Sequence, residues 1–100
     1  MFVSGQIPLD PRTNELVEGG IEAQTEQVLK NLMAVLKEAK MGPENVVKTT
    51  VFLRHLGSEY EPMNEVYARY LGKAPPARST IQAAALPRGV KVEIDVIAAY

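Results

Sequence analysis

The segment from Val46 to Leu53 sets the first constraint on the fold. It is rich in β-branched residues, which suit a pleated strand. Val47, Thr49, Val51 and Leu53 point one way, and Val46, Lys48, Thr50 and Phe52 the other, because side chains alternate along a strand. Both sets are substantially apolar, which places this strand in the interior of a sheet. The cover for that sheet stands upstream. From Ile21 to Met41, apolar residues return at helical spacing through Ile21, Val28, Leu32, Val35, Leu36 and Ala39. Charged residues sit mostly off that stripe, with Glu26 and Lys30 paired at i,i+4 in the favourable order. Gly42 followed by Pro43 predicts the end of the helix.

The other elements are shorter. Met1 to Gly5 reads as a strand, and Ile7 to Gly20 as loop and turn chemistry with a brief extended piece at Leu16 and Val17. A second helix runs to about Leu71, starting at Ser58 with Glu61 in capping-box spacing or at Pro62 as first helical residue. Met63, Val66, Tyr67 and Tyr70 share one of its faces. Lys73 to Pro76 is a loop. Arg78 to Leu86 and Val90 to Ala99 are strands, joined by Leu86-Pro87-Arg88-Gly89 in the pattern of a type I turn. The order β, loop, α, β, α, β, β predicts an α+β fold with two helices on one face of a sheet.

Composition bounds the function. The chain has 100 residues, 46% hydrophobic and 23% charged, which suits one domain with one core. There is no cysteine and a single histidine, which excludes disulfides, thiolate chemistry and a histidine-rich metal site within one chain. The net charge of -1 and the lack of any basic run argue against nucleic acid as partner. No apolar run is long enough to cross a bilayer, and no signal-like segment follows Met1. A cytoplasmic protein with no membrane partner is the expectation.

The last two strands carry most of the chemical information. If they form a hairpin with Leu86 facing Gly89, then Ile94 lies opposite Ile81 and Val92 opposite Ala83 on an apolar face. Arg78, Thr80, Gln82, Glu93 and Asp95 then share the other face. Arg78 and Glu93 would stand about 13 Å apart at Cα, close enough for two long side chains to converge on a small ligand and a water. A solvated outer face of an antiparallel sheet has the same pattern. Asn64 reads equally as a helix-surface residue or a polar contact into a cleft. Ser4-Gly5-Gln6 offers backbone donors at the end of a strand. His55 reads as a surface residue, and Tyr60, Tyr67 and Tyr70 as core or interface residues. Lys40, Lys48 and Lys73 show no carboxylate partner.

Several stretches together resemble the Rid/YjgF family of reactive-intermediate imine deaminases. They are Phe2-Val3-Ser4-Gly5-Gln6-Ile7-Pro8 with Asp10-Pro11, Glu22-Ala23-Gln24-Thr25 with Gln27-Val28-Leu29 and Asn31-Leu32, and Val46 to Leu53. Asn64-Glu65-Val66-Tyr67, Pro76-Ala77-Arg78-Ser79-Thr80 and Leu86-Pro87 through Glu93-Ile94 complete the set. The resemblance runs over essentially the whole chain, in order. It implies a chorismate-mutase-like fold, a mixed sheet with two helices packed on one face, assembled as a homotrimer with sites in clefts between subunits. It implies cofactor-independent hydrolysis of small enamines and imines, such as 2-aminoacrylate, to 2-keto acids and ammonia. By position, Arg78 matches the arginine that grips the substrate carboxylate and Glu93 the residue that directs the attacking water. Ser4, Gly5, Asn64 and Thr80 match substrate-binding positions, and no metal is implied. Thr80 stands where many members have Cys. The family pattern also has a strand ahead of Phe2, with a Pro-Tyr-Ser motif whose Tyr reaches the cleft. This sequence begins after it, and an open sheet edge beside Phe2 and Val3 is expected. The alternative function is a non-catalytic trimer that binds 2-keto acids. A ribonuclease role, ascribed to some relatives, fits the acidic charge balance poorly.

Overall fold

The computed structural model describes residues 1–100. Strands β1 (Phe2–Gln6), β4 (Val46–Leu53), β5 (Ala77–Gln82) and β6 (Val92–Ala98) form one sheet in the order β1-β6-β4-β5. A small hairpin, β2 (Leu9–Asp10) with β3 (Glu15–Leu16), occupies the region read as loop. Helices α1 (Ile21–Glu38) and α2 (Leu56–Leu71) cover one face of the four-stranded sheet. This is the α+β arrangement that the order of elements implied.

The core lies between helices and sheet. Val28, Leu29, Leu32 and Leu36 of α1, with Met63, Val66 and Leu71 of α2, close over Val51, Leu53, Val92, Ile94 and Val96. Helix α1 ends earlier than Gly42. Lys40 takes the left-handed conformation at φ 59°, and Met41 N–H returns to Leu36 C=O while Lys40 N–H returns to Lys37 C=O. That is a Schellman closure with a lysine where glycine is usual. Helix α2 begins at Leu56, ahead of both starts read from the sequence, and carries Pro62 inside it. Its first free N–H is capped from the sheet: Leu56 N–H donates to Gln82 Oε1 at 2.9 Å.

The expected β5–β6 hairpin does not form. Strand β4 lies between the two, parallel to β5 and antiparallel to β6. A parallel pair needs a crossover of a dozen or more residues, and α2 supplies it. The chain from β5 to β6 then has to pass around the end of β4. Arg54, just beyond β4, holds both ends of that passage. Its backbone N–H donates to Lys91 C=O at 3.1 Å, and its guanidinium donates to Ala83 C=O at 2.9 Å. Leu86 to Gly89 does turn, but with Arg88 and Gly89 at positive φ and no strand pairing across it.

The register fixes which side chains share a face. Thr49, Val51 and Leu53 pair with Arg78, Thr80 and Gln82 on one side and with Val96, Ile94 and Val92 on the other. All of these face the helices. The opposite face carries Lys48, Thr50, Phe52, Ser79, Ile81, Glu93, Asp95 and Ile97, and no element covers it. Phe2 is 82% exposed there, Ile81 46% and Ile97 37%, an unusual concentration of apolar surface on one side of a sheet. β1 and β5 are the edge strands of this sheet. No helix is long and apolar enough to cross a membrane.

Two threonine hydroxyls in the core have opposite fates. Thr49 and Tyr67 are both buried and share a 2.7 Å hydrogen bond between β4 and α2. Thr25 of α1 is fully buried, and its Oγ1 has no partner. An unpaired buried hydroxyl costs about 1–3 kcal/mol. The isosteric change Thr25→Val is therefore expected to raise the free energy of unfolding by about 1 kcal/mol or more, read from urea denaturation at constant slope. A lower midpoint would show that Thr25 has a partner in solution.

Candidate functional site

Arg78 points from the edge strand β5 toward α2. Its Nη1 donates to Asn64 Oδ1 and its Nη2 to the Tyr60 hydroxyl, both at 2.7 Å. The guanidinium carbon stands 4.6 Å from the centre of the Tyr67 ring and 5.6 Å from that of Tyr60, a cation–π arrangement on both. Tyr60, Asn64 and Tyr67 are spaced i, i+4, i+7, so one face of α2 delivers all three contacts. The ion pairs of the structure join Arg12 to Asp10, Lys30 to Glu26 and Lys91 to Glu59. Arg78 has none. A half-buried guanidinium is thus held by neutral acceptors and aromatic rings, with its charge uncompensated. It opens onto a cleft of about 350 Å³ whose walls include Asn64, Tyr67, Leu71, Pro75 and Pro76.

Glu93 occupies the other side of the sheet. In the register of β4 it pairs with Phe52, whereas Arg78 pairs with Thr49, so the two side chains leave opposite faces. Two strand spacings, about 9.6 Å, also separate β5 from β6. The shared polar face expected for Arg78, Thr80, Gln82, Glu93 and Asp95 is therefore incorrect. Glu93 and Asp95 lie on the uncovered face. Arg78, Thr80 and Gln82 lie on the helix side, where Thr80 is half-buried beside Val51 and Gln82 caps α2.

Around Glu93 the uncovered face does gather other candidate residues. Between Val3 and Gln6 the pairing of β1 with β6 slips by one residue, so Ser4 and Gly5 together oppose Asp95. Such a bulge re-aims the chain. It brings Gly5 against the Glu93 carboxylate, where a Cβ on residue 5 would lie 2.7 Å from Glu93 Cδ. Ser4 lines a neighbouring hollow of about 310 Å³ with Lys48, Thr50 and Asp95. Burial raises the pKa of Glu93 above its ordinary value, and the nearby charge of Asp95 pushes it the same way. A carboxylate with a raised pKa is a better proton acceptor than an ordinary surface acid.

Five of the six candidates therefore fall into two groups. Arg78 and Asn64 touch each other; Gly5 and Glu93 touch each other, with Ser4 beside them on β1. Thr80 contacts neither pair through a hydrogen bond. Tyr60 and Tyr67 are the residues missed from the sequence as partners of Arg78. Their helical spacing with Asn64 was the available signal, but the same spacing describes ordinary core residues.

A sequence profile of the family described as Endoribonuclease L-PSP matches residues 1–100. The chain belongs to this family, the YjgF/Rid proteins. Protein DfrA of Myxococcus xanthus is 56% identical over 97 residues, covering 97% of this chain and 73% of that protein. The 2-iminobutanoate/2-iminopropanoate deaminase of Mus musculus is 46% identical over 98 residues, 98% of this chain and 72% of that protein. Among solved structures, E. coli TdcF with bound serine is similar at a TM-score of 0.91 and 35% identity, covering 99% of this chain and 79% of that one. The Rid fold thus accounts for the sheet order and for the two-helix cover.

The contact of Gly5 with Glu93 has a measurable consequence. In Gly5→Ala the flexible end of Glu93 has to swing away, which costs the fold little. The carboxyl pKa of Glu93, followed by NMR titration, is expected to fall toward the ordinary range, with the melting temperature unchanged. A titration identical to that of the parent would show that Glu93 does not rest on Gly5.

Proposed function

We propose that the protein is a cofactor-independent deaminase that hydrolyses small enamines and imines, such as 2-aminoacrylate, to 2-keto acids and ammonia. The observation that carries this reading is the uncompensated Arg78. A cation held by Asn64 and the rings of Tyr60 and Tyr67, with no ion-pair partner, is a receptor waiting for an anion. A carboxylate is the anion that a guanidinium edge fits best, through paired hydrogen bonds. The name of the mouse relative supports the imine chemistry, and the serine bound in TdcF supports a small amino-acid-like ligand.

In this reading Arg78 binds the substrate carboxylate and Glu93 holds a water. An enamine first takes a proton at its β-carbon to become the iminium, and water then adds to the iminium carbon while Glu93 takes one of its protons. That proton passes to the nitrogen, and ammonia leaves as the hydroxyl gives up its remaining proton and the carbonyl of the keto acid forms. Because Arg78 and Glu93 leave opposite faces of one sheet, they act on one substrate only if different copies supply them. The uncovered face bearing Phe2, Ile81 and Ile97 gives a reason for copies to associate, and a homotrimer is the assembly we propose. Ser4, Gly5 and Glu93 of one copy would then face Arg78 and Asn64 of its neighbour, with Thr80 on the edge strand between them.

A second reading has an observation of its own. The Arg78 cradle is complete within one copy, whereas Glu93 is remote from it. A protein that binds 2-keto acids without turning anything over needs only the first.

The two residues are expected to fail differently. Arg78→Ala should weaken pyruvate binding by about 1.5–3 kcal/mol, the range for hydrogen bonds to a charged group. Glu93→Gln should keep binding and lose turnover. Calorimetry with pyruvate, beside release of keto acid from enzymatically generated 2-aminoacrylate, reads both. Binding with no turnover in the parent chain would leave the carboxylate-binding reading alone, and unchanged binding in Arg78→Ala would remove both.

Turnover should also depend on pH in a definite direction. Glu93 accepts a proton only when ionised, so activity falls as pH drops through its pKa, which lies above the ordinary 4.5. The acid limb of kcat/KM is expected to have its midpoint above that value. A limb at or below it would exclude Glu93 as the acceptor.

A further inference from the structure

The two hydrogen bonds that hold Arg78 also orient the groups that receive them. A guanidinium has donors only. Asn64 therefore turns its carbonyl Oδ1 to Arg78, which directs its amide N–H₂ away from the guanidinium. The oxygen of Tyr60 likewise accepts from Arg78, so the phenol hydrogen is aimed elsewhere. Neither the Asn64 amide nor the Tyr60 hydrogen finds an acceptor in the chain. The remaining N–H groups of Arg78 are also free, since its side chain makes no other hydrogen bond. Three side chains thus bring unused donors together, with no acid within ion-pairing distance of Arg78.

We propose that Tyr60 is a carboxylate-binding residue of this site. Its hydroxyl hydrogen, turned away from Arg78, completes with the Asn64 amide a donor-rich cradle that prefers a carboxylate to a neutral amide of the same shape. This rests on the assignment of Arg78 as the carboxylate anchor and adds a specificity element to it. An amide ligand presents its own N–H₂ to at least one of these donors, where a carboxylate oxygen would accept. A carboxylate has two oxygens and accepts from all of them. Tyr60→Phe keeps the ring beside the guanidinium and removes the hydroxyl, both as donor to a ligand and as acceptor from Arg78.

The experiment measures binding of pyruvate and of pyruvamide to the full chain, to Tyr60→Phe and to Arg78→Ala, with the melting temperature of each. The parent should bind pyruvate more tightly than pyruvamide. In Tyr60→Phe, pyruvate binding should weaken roughly 3- to 10-fold, the effect of one hydrogen bond. Pyruvamide binding should change less, so discrimination narrows, and the melting temperature should fall only by the loss of the Arg78 bond to the Tyr60 hydroxyl. Equal weakening of both ligands would mean that Tyr60 only supports the fold, and would overturn the proposal. Unchanged pyruvate binding in Tyr60→Phe with loss in Arg78→Ala would overturn it while leaving Arg78 as the anchor. Parent-like binding in Arg78→Ala, or no pyruvate binding by the parent, would remove the anchor and Tyr60 with it.

Discussion

The buried hydrogen bond between Thr49 and Tyr67 sets the geometry on which the Arg78 cradle depends. Tyr67 belongs to the core, yet its hydroxyl requires a partner there. Thr49 on the central strand β4 provides it, which fixes the rotation of α2 above the sheet. With that rotation set, the same helical face carries Tyr60 and Asn64 to the edge strand. Burial raises the Tyr67 pKa, against the bond from Thr49 and the positive charge of Arg78, which both favour the phenolate. The ring therefore stays neutral, and Arg78 rests on a π face instead of a counter-ion. A phenolate at that place would pair with Arg78 and leave little charge to attract a ligand.

The other half of the candidate site follows from the sheet's second face. Nothing in the chain covers it, so Glu93 owes its partial burial to local neighbours. The β1 bulge supplies one of them by aiming Gly5 at the carboxylate. One copy of the chain therefore presents the proposed carboxylate site on the helix side and the proposed proton acceptor on the bare side. Chemistry that needs both together becomes conditional on contact between copies, whereas binding at Arg78 alone is not.

Most elements were legible from the sequence because their cause is local. The β-branched run at Val46–Leu53 is the strand it promised to be, in the interior of the sheet, and the stripe of α1 faces the core. The topology was misread at the C-terminal strands because two local signals pointed the wrong way. Leu86-Pro87-Arg88-Gly89 has turn chemistry and does turn, but its turn joins no pair of strands. Ile81 looked like a core residue of β5, yet it faces the uncovered side, while Arg78, Thr80 and Gln82 face the helices at the sheet's margin. The corrective signal was the strand–helix–strand order of β4, α2 and β5, which favours parallel neighbours. Arg78 and Glu93 were singled out from the sequence, but their placement relative to each other depends on topology, which periodicity alone does not carry.

Arg54 shapes the connection from β5 to β6 in a way that matters for anyone who alters this chain. By gripping Ala83 at one end and Lys91 at the other, it isolates the intervening stretch from the sheet register. Ala84 and Ala85 are exposed there and belong to no strand, although Val90 farther along is buried. Extra residues spliced at Ala84–Ala85 would extend a strap already fastened at both ends, leaving the Leu56 cap and the Arg78 cradle in place. That makes this short segment the natural graft point for an epitope or a fluorophore.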